Sequence, residues 1–349
     1  MRSPSCSLLL FSSFSFVAVF LATAAQGAQL PPELSVSLVV ISSGQTQVER
    51  TSTWLKSILA ARSHMMHVTV FMLVDDAAKS GLEPLVAQVR GRCLDVIYVD
   101  AGPLMAHTRD WIIKTKFRTS HYGGHAAMSK LFVWKFLPDH VEDFIVVDND
   151  LVFLHDPVGA FHEARGEQQQ HPQTILATPY RRWDTRFNLD ESQVQTRCVA
   201  QRLCHPVVYD QACFVYMNRT RAKAAEWDSL LYREVVNVTT MLPSYESSVA
   251  DMDVMNIMLG RHPHLFAPLP HKWNCDINAY KSIVWAAEAH KTGVLPSLGM
   301  PCAVVHYQTS QYNLPDSSPL MHFPGLWNTM KNLRPIYLNT TLLCRDPPS

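Results

Sequence analysis

Beyond Pro31-Pro32 the chain alternates between short apolar runs and amphipathic stretches. Val36–Ile41, Val68–Val74, Val96–Val99 and Phe144–Val147 are nearly unbroken apolar runs of strand length. Between them, Val48–Ala61, Leu82–Val89 and Ala126–Leu137 place apolar residues at helical spacing. In the last of these Met128, Leu131, Phe132 and Phe136 share a face with Lys135. Further on the pattern predicts a strand at Cys213–Met217, helices at Arg221–Val236 and Ala250–Leu259, and a short strand at Ala303–Val305. Strands that are apolar on both faces and alternate with helices predict an α/β fold, with a mostly parallel sheet covered by helices. The pattern reads as one α/β domain over 34–345, interrupted by a polar insertion around 181–208. That insertion carries Arg181, Arg182, Arg186, Arg197 and Arg202, and fits either a solvated loop or an acceptor-binding lid.

Composition narrows the function classes. Hydrophobic residues make up 47% of the chain and the net charge is zero, which excludes a disordered chain. Lys+Arg and Asp+Glu both number 30, so the basic surplus expected of a nucleic-acid binder is missing. The N-terminus adds a compartment. Met1-Arg2 precedes an apolar stretch, 8–25, and then small residues, the layout of a secretory signal peptide over 1–27. An uncleaved type II signal anchor, holding the chain to a membrane through 8–25, fits the same residues. Either way the remainder is expected in the lumen of the Golgi or endoplasmic reticulum, or secreted.

Such a compartment favours disulfides and glycosylation. Cys198–Cys204 is the pairing expected first, while Cys213, in an apolar run, reads as an odd buried thiol. No pair has C-x-x-C spacing, so a zinc knuckle is not indicated. Asn218, Asn237 and Asn339 each begin an N-x-T acceptor, although Asn218 also suits a helix N-cap.

The densest chemistry lies at FIVVDNDLVFLHDP, where Asp148, Asn149 and Asp150 directly follow the apolar strand Phe144–Val147. In open α/β sheets ligands bind beyond the carboxyl ends of the strands. Two carboxylates between apolar runs are costly to bury without a shared partner, and a divalent cation supplies one. Carboxylate oxygens suit Mg²⁺ or Mn²⁺; a third ligand from His306, after Ala303–Val305, would favour Mn²⁺. The chain has no G-x-G-x-x-G after its first strand, no P-loop and no G-x-S-x-G elbow. Asp75-Asp76 reads as a helix N-cap, His121, His125 and His140 as structural or surface residues, and Trp273 as either an acceptor platform or core packing.

Together these blocks resemble glycosyltransferase family 8. HYGGHAAMSKLFVWKFLPDHVEDFIVVDNDLVFLHDP (121–157) is similar to the family's donor-site core, a helix leading to a strand and an Asp-x-Asp motif. Three more blocks follow in the family's order: ACFVYMNRTRAKAAEW (212–227), VADMDVMNIMLGRHPHLFAPLPHKWN (249–274) and VVHYQTSQYN (304–313). Within the family the xylosyltransferase domains of matriglycan-extending enzymes, and then glucoside xylosyltransferases, are the nearest likeness. The resemblance implies a GT-A fold and a retaining transfer of a sugar, xylose favoured, from a UDP-sugar to a hydroxyl of a glycan or glycoprotein. It implies Mn²⁺, with Mg²⁺ as the alternative, held by Asp148, Asp150 and His306. Lys130 would lie near the nucleotide sugar, and Ser42, Ser43, Gly44 and Asn149 would border the nucleotide. Asp251 and Asp253 would face the sugar and acceptor, with Asn274 on the acceptor side.

The family's mid-chain Gly is Ala212 here and its usual Asn partner is Asp210, and two further departures change what is expected. Met252 stands where the family has a Gln whose amide lies by the anomeric carbon, and a thioether cannot replace its hydrogen bonds. Gln311 and Tyr312 stand where a basic residue contacts the diphosphate. They motivate a second reading, a degenerate luminal protein that binds nucleotide sugar or glycan without turnover. A metal-dependent phosphohydrolase is a distant third, because two-metal sites need more clustered ligands.

Overall fold

The computed structural model describes residues 35–62, 67–89, 94–121, 123–182, 208–210, 212–247, 250–276, 303–307, 327–328 and 330–333. The leader at 1–27, Cys198–Cys204, most of the 181–208 insertion, Asn339, Gln311 and Tyr312 lie outside the described residues.

The fold begins with three parallel strands: β1 (Ser35–Ser42), β2 (His67–Val74) and β3 (Leu94–Asp100). Helix α1 (Val48–Ala61) crosses from β1 to β2, and α2 (Asp76–Val89) from β2 to β3. Both turn apolar faces to the sheet, where Trp54, Leu55, Ile58, Leu82 and Val86 pack on Val36, Leu38, Val70 and Met72. Asp75 caps α2 as expected, Oδ1 accepting from the Ala78 amide at 2.8 Å. The helix therefore starts before Leu82; Gly81 and Pro84, poor helix formers, hide its first turns in the pattern.

Helix α3 (Gly102–Thr115) was not legible in the pattern. The predicted Ala126–Leu137 helix is a short α4 (Gly124–Met128) running into a 3₁₀ segment, Ser129–Lys135. Next comes β4 (Asp143–Val147), which pairs parallel with β1. The chain then turns through Asp148–Asp150 into β5 (Leu151–Phe153) and α5 (Pro157–Gln170). Asp156 caps α5 through Val158 N at 2.9 Å, with Pro157 at the first helical position.

Strands β6 (Leu176–Arg182), β7 (Val208–Asp210) and β8 (Phe214–Asn218) complete the far side of the sheet with β9 (Phe266–Leu269). The order is β3-β2-β1-β4-β8-β6-β7, with β9 also on β6. Strand β8 runs antiparallel to β4, so parallel pairing rules one half of the sheet and mixed pairing the other. The predicted helix at Arg221–Val236 is two helices, α6 (Arg219–Ala224) and α7 (Trp227–Met241). They divide at Glu226, whose φ of 49° is left-handed. Helix α8 (Asp251–Arg261) follows.

A second, three-stranded sheet links β10 (Cys275–Asp276), β11 (Val304–His306) and β5. Strand β11 runs antiparallel to β5, setting Val305 against Val152 and His306 against Leu151. Trp273, one of the two readings of which was an acceptor platform, is core: it is 2% exposed, stacks on Phe214 and donates to Glu163 at 2.7 Å. No helix among the described residues is long and apolar enough to cross a membrane.

Candidate active site

The site forms where β4 ends. β1 and β4 are in parallel register, Val40 against Val147, so their carboxyl ends emerge side by side. Asp148 continues β4 for one residue, its amide donating to the Cys213 carbonyl at 3.0 Å. Asn149 is held by α1: its amide donates to Gln47 Oε1 and Thr51 Oγ1, each at 3.1 Å. Thr51 in turn donates to the buried Ser42 hydroxyl at 2.8 Å. Ser43 Oγ and the Gly44 amide both donate to Asp75 Oδ2 at 2.7 Å, which pins the loop after β1. Gly44 has a φ of 81°, a conformation that glycine adopts without strain. Ser42 is thus tied to Asn149 through Thr51, and the polar groups of Ser42, Ser43 and Gly44 named here are turned to structural partners.

His306 arrives from the other end of the sequence. Strand β11 brings it next to β5, where the Tyr307 amide donates to the Asp150 carbonyl at 2.9 Å. His306 Nε2 lies 3.5 Å from Asp150 Oδ1. Burial works to lower the His306 pKa, but the nearby Cys213 and Asp150 side chains prevail and hold it well above the ordinary value. Asp150 is 6% exposed, and its Oδ1 is buried without a hydrogen bond. A buried carboxylate oxygen is costly unless a cation joins it; the protonated His306 imidazole is one, and a divalent ion would take its place by displacing that proton. The Asp148 oxygens and the His306 imidazole suit a divalent ion, and with Cys213 rather than the expected Asp150 as the third member of the group the residues present fit one. Ligand atoms of Asp148, Cys213 and His306 all lie within 4.8 Å of one another.

Lys130 occupies the opposite side. It projects from the 3₁₀ segment and is gripped by Asp148 Oδ1 at 2.8 Å, Asp251 Oδ2 at 2.7 Å and the Ala212 carbonyl at 3.0 Å. Burial alone would lower its pKa, but the two carboxylates raise it well above the ordinary value, so the ammonium stays charged. Asp251 opens α8. Burial pushes its carboxyl up to about 6, although Lys130 opposes that shift. The residue before it, Ala250, has φ 50° and ψ −109°, a conformation alanine rarely adopts.

Not every expected residue joins this centre. Asp253 is buried in the first turn of α8, and its Oδ2 accepts from Ser247 at 2.6 Å. Burial raises its pKa, and hydrogen bonds from Ser247 and Tyr245 work the other way. Met252 is half-buried against the apolar cluster beneath the sheet. Asn274 is buried and donates to Cys213 Sγ at 2.6 Å.

Two neighbours went unread as site residues. Burial and the Lys130 charge lower the pKa of His121, which places it in the field of this centre. Cys213 read only as a buried thiol. Its signal was positional: it precedes a strand that pairs antiparallel with β4, Phe214 against Val147, which sets Cys213 opposite Asp148.

No protein-family model matches the chain. It is 23% identical over 250 residues to the xylosyl- and glucuronyltransferase LARGE1 of Danio rerio, a match over 70% of this chain and 30% of that protein. LARGE2 of Mus musculus is 24% identical over 253 residues, covering 71% of this chain and 34% of its own. The chain thus spans about a third of the length of these relatives. Among solved structures, mouse xyloside xylosyltransferase 1 superposes with a TM-score of 0.59 at 13% identity, over 79% of this chain and 99% of its own. The galactosyltransferase LgtC, solved with donor and acceptor sugar analogues, gives 0.58 at 14% identity, over 87% of this chain and 100% of its own. The fold is GT-A, and the resemblance read from the four sequence blocks holds in both comparisons.

Proposed function

We propose that this chain is a luminal, metal-dependent glycosyltransferase that moves a sugar from a UDP-sugar to a glycan or glycoprotein hydroxyl, retaining the anomeric configuration. The observation that carries the proposal is the convergence of Asp148, Asp150, His306, Lys130 and Asp251, from distant parts of the chain, at the carboxyl end of β4 in a GT-A fold. The named activity of the relatives supports the reaction class. Xylose is the preferred donor sugar on the same ground, within a catalytic domain read over 34–345.

Asp148, Asp150 and His306 are the residues that would hold the cation. When bound, it would absorb charge developing on the departing diphosphate, and Mn²⁺ suits the oxygen and imidazole donors. The chain itself supplies a fixed positive charge. Lys130, held between two carboxylates, is preorganised to face developing negative charge without rearranging during the reaction. Asn149, fixed by Gln47 and Thr51, keeps the Asp148–Asp150 turn in place. Asp251, at the start of α8, positions Lys130 and faces the sugar. In this route the acceptor hydroxyl attacks from the side the diphosphate leaves, and its proton passes to the departing phosphate. No strong protein base is needed.

The test is a panel of UDP-sugars incubated with the full chain, with Mn²⁺ or with chelator, scored for UDP release. Metal-dependent release from one donor, highest with UDP-xylose, is expected. UDP binding without turnover of any donor would favour the binding-protein reading that Met252 motivates. Release of UMP or inorganic phosphate in place of UDP would point to a phosphohydrolase.

A further inference from the structure

The thiol of Cys213 has no part in the mechanism above, yet it lies inside the proposed cation site. Residue 213 sits directly before β8, and its side chain is 5% exposed. Its sulfur is within 4.8 Å of ligand atoms of both Asp148 and His306. In a tetrahedral site with Zn–N, Zn–O and Zn–S bonds of about 2.0–2.3 Å, ligand atoms stand roughly 3.3–3.8 Å apart. The observed cluster is thus about an ångström from closing on one ion.

Two further observations point to a ligand there. Asp150 is 6% exposed, with Oδ1 in no hydrogen bond and turned toward His306. Asn274, 0% exposed, donates from Nδ2 to the Cys213 sulfur at 2.6 Å. A neutral thiol is a weak acceptor, whereas a metal-bound thiolate is a strong one whose charge is tempered by such a donor. An amide fixed on a buried sulfur beside an imidazole and two carboxylates is the surrounding a thiolate ligand needs.

We propose that Cys213 is itself a metal ligand, together with Asp148 and His306, and that the site therefore prefers a borderline-soft cation such as Zn²⁺ to Mn²⁺ or Mg²⁺. Thiolate sulfur selects such ions, while Mg²⁺ and Mn²⁺ favour oxygen. Asn274 is the positioning residue that orients the sulfur. The proposal rests on the reading of this cluster as the cation site, and it changes which cation that reading supplies.

The experiment titrates the full chain, stripped of metal, with Co²⁺ alone and records its absorption spectrum. A near-ultraviolet thiolate-to-cobalt charge-transfer band is expected to saturate with one equivalent in the wild type. It is expected to be absent from Cys213→Ser, which keeps the side-chain branching and is checked for wild-type circular dichroism. Zn²⁺ should bleach the band at concentrations where Mn²⁺ does not. Loss of an outer-shell partner lowers metal affinity about 10–100-fold, so Asn274→Ala should weaken Co²⁺ binding by that amount while keeping the band. Cys213→Ser, which loses a ligand, should weaken it more. Co²⁺ bound by the wild type without a thiolate band would overturn the proposal and leave the cation site standing. No Co²⁺ binding at millimolar concentration would overturn both. Because the full chain carries eight cysteines, the about 10–100-fold weakening of the banded site in Asn274→Ala is what assigns the band to Cys213 if Cys213→Ser does not fold.

Discussion

Lys130 is charged, buried and shared between two acids, so its environment depends on the ionisation of Asp251. That carboxyl is pushed up to about 6 by burial, from an ordinary value of 3.8. Above pH 6 it is ionised and grips the ammonium; below it the grip is lost. Turnover is therefore expected to fall on the acid side with a midpoint near 6, and Asp251→Asn should remove that limb of the profile. A hydrogen bond to a charged group is worth about 1.5–3 kcal/mol, so the variant should be roughly 10–100-fold slower at neutral pH. An unchanged acid limb in Asp251→Asn would show that Lys130 does not depend on this pair. Ala250 sets the angle at which Asp251 enters. Its positive φ costs about 1–3 kcal/mol. Glycine there gives up a buried methyl, about 0.8 kcal/mol, and adds backbone entropy of about 0.5–1 kcal/mol. Ala250→Gly should leave the unfolding free energy within about 1 kcal/mol of wild type in a urea titration, although the residue is fully buried. A loss of several kcal/mol would mean the conformation is not strained. At this scale the carboxylate pair was legible because two acids between apolar runs are costly. Cys213 was not, since an isolated cysteine in a strand looks like any small core residue.

Elements show where local pattern suffices and where tertiary context decides. Helix α1 was read over Val48–Ala61 and is found there, because its apolar stripe is unbroken. Arg221–Val236 shares one amphipathic rhythm, but the left-handed turn at Glu226 that buries Trp227 leaves no trace in that rhythm. The 3₁₀ winding of Ser129–Lys135 is equally silent, since it buries the residues an α-helix would. Such runs seldom exceed four residues, and this one carries Lys130. Helices α7 and α8 are clasped by Glu234, which lies 3.1 Å from His262 Nε2 and 3.1 Å from Arg233 Nε. Burial would raise its pKa, but these two partners win and set it below the ordinary 4.5. A depressed carboxyl stabilises the fold above its unfolded-state value and loses that contribution as pH falls through the folded-state value. Glu234→Ala should thus cost about 1–3 kcal/mol at pH 7. Denaturation midpoints of variant and wild type should converge as pH drops below the ordinary 4.5. A difference independent of pH would assign Glu234 a packing role only. Asn218, a candidate glycosylation site, caps α6 instead, accepting from Arg221 N at 2.9 Å and donating to Asp143 at 2.6 Å. Asn218→Ala should lower stability by about 1 kcal/mol.

For the whole molecule, the parallel half of the sheet follows from alternation alone, whereas the site needs two long-range pairings. Strand β8 must lie antiparallel on β4 to put Cys213 against Asp148, and β11 must lie on β5 to put His306 against Asp150. The second pairing leaves no local signature, because β5 and β11 are three residues each and join segments about 150 residues apart. That is why the position of His306 after Ala303–Val305 offered it only as a candidate third ligand, which the family resemblance then supported. The most direct test of the account compares metal-dependent UDP release by the wild type with that of Asp150→Ala, both folded by circular dichroism. The site predicts that the variant loses the metal-dependent rate by about a hundredfold or more, since the cation supplies several kcal/mol of charge stabilisation. Wild-type turnover by Asp150→Ala, with unchanged dependence on metal, would contradict it.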